Sequence, residues 1–451
     1  MSSDKFRHQL RHEAEQWRSE GLIDASVYEQ LAQRYQFSEL ESTARNRFIA
    51  ILLVLGCILL GLGIITFVAA NWQVWSRSLK VILLLTIFIS INITGFSLWR
   101  SQKQQWQRRL GQGLLVLGGL ALGANMALMS QLFHQNSPVY QLYLVWGLGI
   151  FAMAYSLRLT LLGMFGALLI GIGYLQGQGQ PEFLALGESF WLRLMIQHMP
   201  LVAGLMFIPL AYRCRSRWIF RIGAIAIIYS LEVNLLRFNL LVSPAWIGAI
   251  ACALPPALLW GYRDSHWGRR FSFTKSFDTT ARTLAIAFLS LLFFLLSFYG
   301  IWNISFVPST YDASLIDRSV LIDILILGGL TIWEWQRLLN RWDLTTSIVA
   351  GMIAISGIIP YWHLSTGRLA IAAVLIFNLL LFLLGVGLIR EGLTQAQRRL
   401  FWGGMVLITL QIFSRMLEYK TDLLFKSFVL FLCGFGVIAA GFWFERYIRT
   451  K

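Results

Sequence analysis

Long runs of apolar residues separated by short polar turns recur along the chain from about residue 48 to residue 444. Crossing the hydrocarbon of a bilayer as a helix takes roughly 20 such residues. On that measure the pattern predicts spans over 48–70, 78–99, 110–133, 140–157, 159–176, 199–213, 218–241, 244–261, 283–303, 319–335, 345–364, 369–389, 400–418 and 424–444. The sixth is the weakest, being short and holding Pro200 and Pro209; a proline removes a helix N–H and bends the helix. The fold class that follows is all-α, a polytopic membrane helix bundle of about fourteen transmembrane helices.

Charge tests this reading, because short cytoplasmic loops retain Lys and Arg. One set of turns holds Arg45 and Arg47, then Arg100, Lys103, Arg108 and Arg109, then Arg158, then Arg213, Arg215 and Arg217. The same set continues with Arg263, Arg269, Arg270 and Lys275, with Arg337 and Arg341, with Arg390, Arg398 and Arg399, and with Arg446, Arg449 and Lys451. The intervening turns 134–139, 177–188 and 305–317 carry no Lys or Arg. An even number of spans with both termini in the cytoplasm is expected, and a bacterial inner (plasma) membrane is the expected location. The chain then divides into a cytoplasmic helical hairpin over 1–47, six spans over 48–215, two connecting spans and a basic loop over 216–282, six spans over 283–445 and a tail over 446–451.

The hairpin is the one sizeable soluble piece. A polar helix is predicted from Asp4 to Glu20 with Gly21 as its stop, and Asp24 is positioned to cap a second helix ending near Gln36. Leu22, Ile23, Val27 and Leu31 give the pair an apolar seam. A piece of this size buries little core, so it either anchors on the basic loops or docks a cytoplasmic protein partner. An internal duplication is also suggested at an offset near 230 residues, pairing Asn71-Trp72 with Trp302-Asn303 and the span end at His134 with that at His363.

Composition sharpens the class: 57% of the 451 residues are hydrophobic and 13% charged, against roughly 25% charged in soluble domains. A net charge of +16 would suit a nucleic-acid partner only if gathered on one folded surface. Here it is spread through turns, so no nucleic acid is expected and membrane lipid is the expected surrounding. Cys57, Cys214, Cys252 and Cys433 are scattered, with no metal-binding spacing. No H-E-x-x-H, G-x-S-x-G or phosphate-loop motif occurs, and the sequence implies neither a cofactor nor a metal. The clusters Gly56, Gly61, Gly63 and Gly111, Gly113 read as helix packing positions.

Ionisable groups inside spans are where chemistry is sought in a membrane protein. By depth, Gln131 and His134 close the third span, while Glu232, Asn234 and Arg237 lie in the far half of the seventh. Asp323 lies one turn inside the tenth, His363 ends the eleventh, and Gln411, Arg415 and Glu418 share one face of the thirteenth. A common depth away from the basic turns predicts a polar vestibule open to the outer side, with Arg237 and Arg415 as its cations. The alternative is that Arg415 pairs with Glu418, and Glu232 and Asp323 with other cations, to lock helices together.

Several stretches resemble a bacterial membrane-protein family catalogued as domain of unknown function 2157. They are Trp17-x-x-Glu20-Gly21-Leu22-Ile23-x-x-x-x-Tyr28, Leu60-Gly61-x-Gly63, Phe67-x-Ala69-Ala70-Asn71-Trp72 and Gln131-x-x-His134 followed by Trp146. The strong resemblance runs over about residues 10–150, and Gln411-x-x-Ser414-Arg415 with Phe431-x-x-Gly434 is similar to the tail of longer members. It implies that Asn71, Trp72, Gln131, His134 and Arg415 belong together, and it supplies no activity. The function classes that remain are a transporter or flippase-like protein acting on a polar or lipid-linked molecule, a membrane scaffold recruiting a partner through its hairpin, and a membrane enzyme acting on an envelope lipid or glycan.

Overall fold

The structure is a computed structural model that describes residues 4–35, 59, 66, 74–101, 105–134, 138–178, 190–236, 243–264, 277–303, 314–339, 343–367, 369–418 and 422–450. Among these every regular element is a helix. Two units are distinguished, Met1–Ile87 and Phe88–Lys451, and each is taken by itself.

In the first unit, α1 (Asp4–Ser19) and α2 (Ala25–Arg34) form the hairpin. Gly21 adopts φ 74°, a conformation that glycine takes without strain, and the turn closes with Leu22 N–H donating to Trp17 O at 2.8 Å. The seam differs from the expected one. Ala14 is fully buried against Leu10, Trp17, Ile23, Tyr28, Leu31, Ala32 and Tyr35, whereas Leu22 is 68% and Val27 43% exposed. The reason is the register of α2: Tyr28, Leu31, Ala32 and Tyr35 recur at helical spacing and take the inner face, leaving Val27 off it. Asp24 occupies the N-cap position, but its side chain makes no capping hydrogen bond.

The predicted span 48–70 lies outside the described residues apart from Leu59 and Thr66. The elements that follow are α3 (Arg77–Arg100), α4 (Gln105–Leu132), α5 (Val139–Leu157), α6 (Thr160–Gln178), α7 (Phe190–Gln197), α8 (Met199–Cys214), α9 (Arg217–Leu236) and α10 (Pro244–Gly261). They are followed by α11 (Asp278–Leu296), α12 (Tyr299–Trp302), α13 (Ser314–Leu339), α14 (Leu344–Thr366), α15 (Ala370–Thr394), α16 (Arg398–Glu418) and α17 (Leu423–Thr450). Twelve helices among the described residues are long and apolar enough to cross a membrane, or thirteen if α7 and α8, which meet at 86°, form one broken span.

The sixth predicted span, 199–213, is α8, and it is entered through a sharp bend from α7. One predicted span is corrected. The ninth starts five residues earlier than expected, at Asp278, and stops at Leu296 before the single turn of α12.

In the second unit, α5 packs on α6, α8 on α9, α10 on α14 and α15 on α16, with α11 and α13 between these pairs. Lipid chains are as apolar as the helices, so what holds helices together in a bilayer is close packing and interhelical hydrogen bonding. The Trp146 indole, for example, donates to Gly119 O across α4 and α5 at 2.7 Å. One continuous core runs from Leu115 through Leu384.

Arginines of several basic turns lie together at one end of this unit, Arg158 with Arg213 by Cys214 and Arg263 with Arg337 by Glu334. Arg158 and Arg215 end α5 and α8 in the left-handed conformation, and Arg213 Nε donates to Tyr155 O at 2.6 Å. At the same end the hydroxyls of Tyr212 and Tyr262 are 2.6 Å apart. Tyr212 also bonds Asp264, the Asp264 N–H donates to Asp278 Oδ1 at 2.8 Å, and Phe277 stacks on Phe220 with ring centres 5.1 Å apart. Burial pushes the Tyr262 hydroxyl above its ordinary value. This lock ties the ends of α8, α9, α10 and α11 and fixes the polarity of the bundle: one Arg-rich end, one Arg-poor end.

Candidate intramembrane polar site

Distance from the Arg-rich end can be counted along each helix. At a rise of 1.5 Å per residue, Asn234 lies roughly 26 Å from Arg217, His198 roughly 22 Å from Arg213, Asp323 roughly 21 Å from Arg337 and Arg415 roughly 26 Å from Arg398. The polar groups therefore share a depth toward the Arg-poor end, and at that depth they form two networks on different helices.

The first network surrounds the bend between α7 and α8. The His198 Nδ1 and Asp323 Oδ1 atoms are 2.7 Å apart. Asp323, on α13, is 0% exposed, while the His198 side chain retains 21% of its surface. The Asn234 amide, on α9, donates to Gln197 O at 3.0 Å and so satisfies a carbonyl that the end of α7 leaves open. The Tyr174 hydroxyl, on α6, lies 3.4 Å from both Asn234 Oδ1 and Ser230 O. Groups from α6, α9 and the bend thus gather around the Asp323 carboxylate of α13, whose Oδ2 is buried with no hydrogen-bond partner among the described residues.

The second network closes the end of α11. A helix that stops inside a bilayer leaves its last carbonyls without partners, and each must be satisfied within the protein. Phe293 O accepts from Ser297 N–H at 3.0 Å and Leu295 O from Phe298 N–H at 3.1 Å, and Leu296 O accepts from the Trp302 indole at 2.7 Å. Ser297 O receives the Asn378 amide at 3.2 Å and Arg415 Nη1 at 2.6 Å. The same guanidinium bonds Ser297 Oγ at 3.2 Å, lies 4.3 Å over the Phe298 ring and is paired with Glu418. Glu418 Oε1 in turn accepts the Tyr299 N–H at 2.8 Å. Gln411 donates to Asn378 O at 2.8 Å, and His363 Nε2 donates to Trp302 O at 3.0 Å. Arg415 is thus the cation at the negative end of a broken helix. Beside it, between α15, α16 and α17, lies a cavity of about 420 Å³ lined by apolar chains together with Gln411 and Arg415.

The residues singled out from the sequence divide accordingly. Asp323 belongs to the first network, and Gln411, Arg415 and Glu418 to the second. Glu232 faces α10 near Cys252, with Oε1 buried and without a hydrogen-bond partner. Gln131 and His134 are exposed and join neither network. Asn71, Trp72 and Arg237 lie outside the described residues.

His198 and Tyr174 were not singled out from the sequence. The signal for His198 was the sixth span itself, too short and interrupted by proline, since such segments mark binding sites in carriers. Tyr174 gave no signal, because one Tyr near a span end is an ordinary interfacial residue. Among the described residues no group of three or more His, Cys, Asp or Glu side chains could hold a metal ion.

Residues 15–163 match the family described as predicted membrane protein (DUF2157). The match spans under half of the chain, from α1 to the start of α6, and contains Asn71, Trp72, Gln131 and His134. Both networks lie beyond it. No curated protein and no solved structure matches the chain.

Proposed function

We propose that this membrane protein is a carrier that moves a polar or lipid-linked molecule through an outer-facing site, and that the bend at His198 is the centre of that site. One observation carries the reading: a fully buried carboxylate, Asp323, shares a hydrogen bond with a histidine that sits where a membrane helix is broken. Helix breaks at bilayer depth are tolerated where they line a cavity or are buried in protein, and carriers use them to hold substrate and coupling ions. The Arg-rich end faces the cytoplasm of a bacterial cell by the positive-inside rule, which directs the bend to the outer half of the membrane.

Thiol labelling tests this. The His198 side chain keeps 21% of its surface, so a thiol in its place, His198→Cys, reports whether water reaches the bend. In a chain whose four native cysteines are replaced by serine, a charged, membrane-impermeant thiol reagent applied to intact cells is expected to label Cys at this position. Labelling only after denaturation contradicts a water-reached site. A scaffold is the second reading, favoured by the Arg415 network, in which nearly every donor is spent on a helix end. The exposed Leu22 and Val27 of the hairpin would then be the place where a partner docks.

A further inference from the structure

The His198 and Asp323 side chains form a couple that is fully buried at one member and partly exposed at the other. Asp323 is 0% exposed, and among the described residues its electrostatic neighbours are His198 and Asn234, with no Lys or Arg. Around the couple, α6 contributes Tyr174 and α9 contributes Asn234. Neither Arg193 on α7 nor Glu232 on α9 forms an ion pair or hydrogen bond with Asp323, whose charged partner among the described residues is His198. A carboxylate without a cation in such a place is strongly disfavoured. It is tolerated beside a protonated imidazole, and it loses its charge by taking that proton itself. The low-energy form of the couple therefore carries one proton more than neutral His198 beside an ionised Asp323.

We infer that His198 and Asp323 form a proton-binding site, filled and emptied through the exposed edge of the imidazole. In the empty form, Nδ1–H of neutral His198 donates to the Asp323 carboxylate. Hydronium gives a proton to the Nε2 lone pair, leaving water and the imidazolium. The Nδ1 proton then passes to Oδ1, leaving a neutral carboxylic acid and an imidazole protonated at Nε2. Release runs the same steps backward, with water as the proton acceptor. The empty form leaves a buried negative charge held by the His198 N–H, so emptying is linked to whatever next admits water or a cation at the bend. That last link rests on the carrier reading, whereas the binding of the proton stands on the geometry of the couple.

The test is infrared difference spectroscopy of the full chain in lipid nanodiscs between about pH 5 and pH 8, the range over which histidine couples change charge. A protonated-carboxyl C=O band that grows toward acid is expected in the native protein and is expected to be lost in Asp323→Asn. In His198→Gln the carboxyl remains, and the band is expected to persist with a displaced midpoint, so this variant keeps the test open if the first does not fold. A difference spectrum that neither substitution changes would overturn the proton site. A band that behaves as expected in a protein whose His198→Cys variant stays unlabelled from outside supports the proton site and removes the carrier reading.

Discussion

Replacing Arg415 with alanine is expected to destabilise the protein by roughly 3–5 kcal/mol, the scale for breaking a buried ion pair from one side. The Arg415 and Glu418 side chains are only 15% and 18% exposed, so solvent screens the pair weakly. Alanine leaves the Glu418 charge without a cation and removes the guanidinium from the Ser297 carbonyl and hydroxyl. Thermal unfolding in detergent should show a large fall in melting temperature. Removing both charges together, as Arg415→Met with Glu418→Gln, should recover part of the loss, because a pair replaced by neutral groups of similar volume is often close to neutral. An alanine variant that melts with the native protein would show that α11 is held at its break by something else.

The second large effect is expected where α15 and α16 meet. A Cβ added at Gly404 would lie 2.5 Å from Gly385 O and 2.9 Å from Ile389 N. Both are backbone atoms, which cannot rotate aside as a side chain can. Gly404→Leu must therefore push the two helices apart, at a cost at or above the roughly 1–3 kcal/mol typical of overpacking. Separation also strains the Gln411 to Asn378 hydrogen bond that joins the same two helices. Its neighbour supplies the control, because nothing lies within 4 Å of a Cβ at Gly403. Gly403→Leu should express and melt like the native chain while Gly404→Leu does not. Equal behaviour of the two would contradict the close approach.

The helices were legible because period and length alone separate a membrane span from a soluble helix, and because Arg-rich turns alternate with turns poor in Lys and Arg. The common depth of the polar residues was legible for the same reason, since depth is a residue count along a helix. Which of them meet was not legible, because that depends on how each helix is rotated about its axis. Asp323 and Arg415 share a depth, yet one turns toward His198 and the other toward Ser297. The break after Leu296 carried no proline or glycine to announce it. It is secured from α16, 118 residues away in sequence, and no local pattern reports such a contact. The late start read for the ninth span has a related cause: Asp278, Thr279, Thr280 and Arg282 look like a loop until Asp264 and the Trp260 ring are there to receive Asp278 and Arg282.

Function and fold make opposite demands on a buried charged couple, and this separates the two networks. If Arg415 caps a helix, its loss costs stability. If His198 and Asp323 exist to bind a proton, they are retained despite giving the fold little, as groups at functional sites often are. The most direct measurement is therefore the melting temperature of the double variant His198→Gln with Asp323→Asn in the same detergent. The account predicts a protein that melts within a few degrees of the native chain, or above it, because a neutral amide pair retains the contact without the buried charge. A fall as deep as that expected for Arg415→Ala would contradict it and make the couple one more lock between helices.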